Sequence, residues 1–202
     1  MTRASLFVLL PVMLALPSVS GAQSRSQDEE NRLRDDCRLA TQVIETGVPA
    51  PKTEWAYGII ASCSSDQQAS ALAAAWARPM DGQRLEMIAA RSASIADARL
   101  LDATVRVATS PERTVAERIA ALNLVTHYLK PGWGISQEFW MQPERFSMSI
   151  WADAPQEAGD VPITDADRQA ALAALRAMSA SAADPRGAPV AARLLAGLGA
   201  RQ

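Results

Sequence analysis

Prolines and glycines cut this chain into short lengths, and that punctuation limits its fold more than any other feature. Gly47, Pro49 and Pro51 form one break, Pro79 a second, Pro131-Gly132 a third and Asp184-Pro185-Arg186-Gly187 a fourth. Proline lacks the amide hydrogen that a helix interior needs, and glycine favours helix ends, so each break terminates a helix. Between breaks, apolar residues recur three or four positions apart. Leu33, Cys37, Ala40 and Ile44 do so early in the chain, and Val115, Ile119, Leu122, Val125 and Leu129 do so later. That period marks α-helices with one buried face. The expected fold class is therefore all-α, built as a short stack of antiparallel helical hairpins, with an irregular helical bundle as the alternative.

Capping chemistry places the helix starts. Thr53 can cap a helix carrying Trp55, Ile59, Ile60 and Cys63, and Ser64 with Gln67 has the spacing of a capping box opening a helix through Leu72 to Trp76. Further helices are expected at about 82–92, 96–108 and 112–129, the last with Ser110 as its cap and Pro111 at its first position. Thr164 can cap a helix through Leu172, Leu175 and Met178, and a last helix carries Val190, Leu194 and Leu198. Asp102/Arg106 and Arg113/Glu117 are expected as solvated i,i+4 pairs.

The N-terminus reads as a secretory signal peptide: Arg3, an apolar run from Leu6 to Leu16, then Ser20 and Ala22 at the small-residue positions before a cut. Cleavage near Ala22 would leave 19 basic against 22 acidic residues, a net charge of −3. So weak a field gives no reason to expect nucleic acid as a partner, and no membrane span is expected in the mature chain. Arginine outnumbers lysine 18 to 2, the codon bias of GC-rich bacteria, so the expected compartment is bacterial periplasm or exterior. Such a compartment is oxidising, and the only cysteines, Cys37 and Cys63, are expected to pair. Closing that loop stabilises a fold by roughly 3.5 kcal/mol in the chain-entropy description.

The helices also recur. Ile60, Ile88 and Ile119 sit in similar runs, IIASC, MIAARS and RIAALN, at separations of 28 and 31 residues. Over about 54–130, and most clearly in SPERTVAERIAALNLV at 110–125, the chain resembles HEAT-like helical repeats, whose hairpins bury their inner faces against their neighbours. The resemblance implies an α-solenoid with a protein-binding surface. The expected organisation is a leader at 1–22, a helical-repeat domain at 23–151 including an aromatic segment at 131–151, a polar linker at 152–163, and a C-terminal hairpin at 164–202 packing on the same domain.

Common catalytic constellations are missing from the sequence. His127, the only histidine, lies off the apolar stripe of its helix and is expected at the surface or rim; no G-x-S-x-G elbow, H-E-x-x-H or phosphate loop accompanies it. No enzymatic activity, metal or cofactor is therefore expected. The unusual feature is the aromatic segment, which holds five of the nine aromatic residues after the leader. Its rings either plug the end of the helical stack or stay exposed, in which case Trp133, Phe139, Trp140 and Trp151 are the candidate binding residues. The expected partner is another envelope protein. A carbohydrate-binding module, or a degenerate glycosidase using Glu138 and Glu144 beside the tryptophans, is the alternative.

Overall fold

The computed structural model describes residues 20–46, 52–80, 82–136 and 138–199. The expected leader lies outside them except for the backbone of its last three residues, as does the side chain of Thr53. The chain is predominantly helical. Its helices are α1 (Ser20–Thr46), α2 (Lys52–Ile60), α3 (Ser65–Trp76), α4 (Gly82–Ala93), α5 (Ala98–Thr109), α6 (Val115–Leu129), α7 (Glu138–Met141), α8 (Asp165–Ser179) and α9 (Gly187–Gly197). No described helix is long and apolar enough to cross a membrane.

The helices pack mainly on near neighbours in the chain. α1 lies on α2 and α3, α3 on α5, α4 on α6, and α5 on both α6 and α8, while α8 pairs with α9. The recurring Ile60, Ile88 and Ile119 come from α2, α4 and α6 and are all buried, as are Leu72 and Leu101 of the intervening α3 and α5. Cys37 of α1 and Cys63 after α2 are joined across a Cα–Cα distance of 5.5 Å, which staples the first hairpin.

Reciprocal side-chain to backbone bonds set several boundaries. Ser64 and Gln67 form the capping box of α3, and Thr164 and Asp167 form one at α8. α6 departs from expectation. It starts at Val115 under a capping box of Thr114 and Glu117, whereas Ser110 terminates α5 and Pro111 sits in the intervening turn. Thr114 and Glu117 together satisfy two of the first-turn donors, which Pro111 cannot do.

The Arg113–Glu117 pair is likewise no solvated feature. Glu117 is buried, and beyond its bonds to Thr114 it accepts the Met80 N–H at 3.1 Å and Arg113 at 2.9 Å. Arg113 also donates to the carbonyls of Trp76 and Ala77, at 3.2 and 2.7 Å, and so ties the end of α3 to the start of α6. Burial alone would raise the Glu117 pKa, but its bonds outweigh that and hold it below the usual carboxylate range. Asp102–Arg106 does lie exposed on α5.

Among the described residues, two small strand pairs complete the fold. β2 (Trp133–Ile135) runs antiparallel to β3 (Met148–Ile150), with Trp133 opposite Ile150 and Ile135 opposite Met148. β4 (Glu157–Ala158) runs parallel to β1 (Ile95–Ala96), so the segment expected as a linker is a strap across the helices. Arg91 holds Glu157 through both carboxylate oxygens, at 3.0 and 3.1 Å. Asp97, fully buried, accepts from the Val161 amide at 3.3 Å and from Arg99, which also pairs with Asp66. Burial would raise the Asp97 pKa, yet the Arg99 and Val161 bonds lower it on balance. The C-terminal hairpin is pinned by a second buried pair, Arg118 with Asp184; Arg118 also donates to the Ala108 carbonyl, and Asp184 accepts the Gly187 amide.

Candidate functional site

α6 runs through the middle of the fold, and its surroundings overturn the expectation for His127. α5 covers one side, α4 another and β2 a third, so apart from Ala120 every residue from Glu117 to Tyr128 is buried. A stripe calculation assumes one wet face, and a helix enclosed on several sides has none. His127 is a core residue with no exposed surface.

Both its ring nitrogens are engaged. Nδ1 accepts the Gly132 N–H at 3.1 Å, which places the proton on Nε2, and Nε2 donates to the Ala93 carbonyl at 2.9 Å. Burial lowers the pKa of His127, partly opposed by its bond to Ala93, and favours the neutral ring. An imidazole with both nitrogens satisfied by backbone is poorly placed to act as a general base. Among the described residues, no three of His, Cys, Asp and Glu lie close enough to hold a metal ion.

Instead His127 organises the aromatic segment. Gly132, at φ +86°, gives its N–H to His127 and its carbonyl to the amide of Trp151 at 2.8 Å. That left-handed backbone suits glycine. Trp151 then meets the His127 ring edge-on at 5.8 Å. Gly134 leaves room for this ring: a Cβ there would lie 2.6 Å from that of Trp151 and 2.8 Å from Asn123 Oδ1. Asn123 accepts the Ile135 amide at 2.6 Å, so helix, hairpin and tryptophan form one rigid corner.

Trp151 closes one end of an open groove of about 330 Å³ between α4 and α6. Leu85, Ala89, Ala116 and Ile119 line its apolar surface, and Glu86 and Asn123 supply polar groups. The alanines let a partner approach the helices closely, and Trp151, 37% exposed, offers a large ring already fixed in place. A fixed aromatic group on an apolar groove is the usual anchor of a protein interface, because little side-chain entropy is lost when it is covered.

The four candidate aromatic residues divide. Phe139 and Trp140 are buried and belong to the core. Phe139 packs on Phe146 at 5.1 Å, and the Arg118 guanidinium lies 4.6 Å above Trp140. Trp133 is half-buried beneath Lys130, whose ammonium stands 3.8 Å over the ring. Only Trp151 of the four is brought to the groove. Glu138 and Glu144 remain exposed, but the burial of Trp140 removes a ring that a stacked sugar would need. The groove residues of α4 and α6 escaped sequence reasoning, since apolar residues spaced three and four apart look alike whether they face the core or an open groove.

Comparison with protein-family models, with curated proteins and with solved structures finds no match to this chain.

Proposed function

We propose that this protein is a non-enzymatic, exported helical scaffold of the bacterial envelope that binds another protein along the α4–α6 groove. The observation that carries this reading is Trp151, partly exposed, locked by Gly132, Gly134 and His127, and set at the end of an apolar groove. We read the helices as a short HEAT-like stack, supported by the 28- and 31-residue recurrence and by the packing of α1, α3, α5 and α8 in succession. The joined cysteines suit an oxidising compartment, and the leader-like N-terminus fits export to the periplasm or exterior. The expected occupant is a protein segment with a compact apolar face, which the alanine-lined groove can admit at close range.

A photo-crosslinking amino acid at Ala90, exposed beside the groove, should capture a specific protein in producing cells. The same group at Ala177, exposed on α8, should not capture it. Trp151→Ala, shown to be folded by circular dichroism, should reduce that capture at least roughly tenfold, as loss of a hot spot does. Equal capture from both positions, or capture unchanged by Trp151→Ala, would count against the groove.

A further inference from the structure

A second concavity, of about 350 Å³, lies between the end of α6, the start of α8 and the strap, with His127 among its lining residues. Its volume lies in the range of small-ligand sites. Pro131, Pro155, Pro162, Ala158 and Ile163 make most of its wall, so it is rigid and apolar. The other polar residues in its lining are buried and already committed. His127 uses both ring nitrogens on backbone groups, and the Tyr128 hydroxyl donates to the Ser92 carbonyl at 2.7 Å.

Arg168 differs. It lines the pocket and donates through one nitrogen to the Tyr128 carbonyl at 2.7 Å, and it has no acidic partner among the described residues. A guanidinium carries five N–H donors, so most of its capacity remains. None of the described lining residues is acidic. Asp167, its neighbour in sequence, is held by the amide and hydroxyl of Thr164 at 2.8 and 2.6 Å. A half-buried, uncompensated guanidinium beside apolar walls favours an anion that brings its own apolar surface. A single planar fork matches a carboxylate, whereas a phosphate group would call for further donors or cations that the pocket lacks.

We propose that this pocket binds a carboxylate carried on a compact apolar body, with the carboxylate on Arg168 and the apolar body against the prolines and Ile163. Two sources share that chemistry: a free medium-chain organic acid, and the C-terminal residue of a peptide. The proposal stands apart from the groove, whose failure would leave it intact.

The test uses the full exported protein and the single histidine as reporter, because the ring signals of His127 at the pocket wall are unambiguous in NMR spectra. Octanoate and octanamide form one arm. An acetylated tripeptide ending in leucine, as free acid and as amide, forms the other. At least one acid should shift the His127 ring signals saturably, its amide should bind roughly tenfold more weakly or worse, and Arg168→Gln should lose the preference for the acid. The arm that responds identifies the source. Equal binding of acid and amide, or no shift of His127 with either acid at millimolar concentration, would overturn the proposal. The acid–amide comparison on the unaltered protein decides the matter even if Arg168→Gln does not fold.

Discussion

His127 touches Trp151 at the α4–α6 groove and is among the residues that line the pocket behind the strap, but different materials build the two sites. Two regular helices form the groove, supplying alanines and larger apolar residues, with one tryptophan from outside to close the end. The pocket is walled largely by irregular backbone: Pro131 after α6, and the strap from Ala154 to Ile163. Helix packing holds the groove walls in shape, and backbone and amide hydrogen bonds fix its tryptophan. The pocket depends on charges, because its strap stays in place through Arg91–Glu157 and the buried Asp97. A site built from helices should therefore tolerate loss of a charge pair, and a site built from a strap should not.

Removing Asp97 is the sharpest way to break this contrast. Asp97→Ala deletes the acceptor for Val161 and the cap of α5, and leaves Arg99 with Asp66 alone. We expect a loss of about 2–3 kcal/mol, below that of a fully buried pair because Arg99 is partly exposed. Hydrogen exchange should quicken at Gly159 and Val161 while the α4 and α6 amides keep their relative protection. Uniform acceleration across both regions would show that the two sites share one support. The same carboxylate carries a pH signature. Its folded pKa is depressed, so its contribution is present above the unfolded value of about 4 and is lost as pH falls below it. Asp97→Asn should flatten that part of the acid-denaturation curve.

Gly134→Ala attacks the opposite side. The added methyl must displace Trp151 or Asn123, at a cost of about 1–3 kcal/mol, and should change the fluorescence of Trp151 while the strap stays protected. The smallest effect on stability belongs to Trp151→Ala. Because the ring is partly exposed, we expect about 1 kcal/mol by denaturant unfolding, against a much larger loss of partner capture. A loss of several kcal/mol would make Trp151 a core residue and leave the groove without its anchor.

The same contrast explains what the sequence disclosed. Local chemistry wrote the helix starts at Ser64 and Thr164 and the alternation of hairpins, because each involves residues within a turn of one another. The cysteine pair could be matched because no other cysteine competes. The strap was illegible: Glu157 looks like one more surface acid until it reaches Arg91, 66 positions away. Trp140 and Trp151 are indistinguishable as letters, yet Arg118 and the C-terminal hairpin enclose one while the α4–α6 groove leaves the other partly open. His127 was misplaced because a periodicity argument considers a helix alone, and α6 is buried by three separate neighbours.

A buried, neutral imidazole holds the Gly132–Trp151 corner of the groove and belongs to the lining of the pocket, so the state of that ring is the most direct test. Nitrogen-15 NMR of the single histidine between pH 8 and pH 5 would report it. A neutral ring protonated at Nε2, with a pKa below the ordinary value of about 6.5, is the predicted result; stability would then weaken as pH falls below about 6.5, since the unfolded chain binds the proton first. A ring that titrates near 6.5 with both nitrogens open to solvent would contradict the account and return His127 to the rim of its helix.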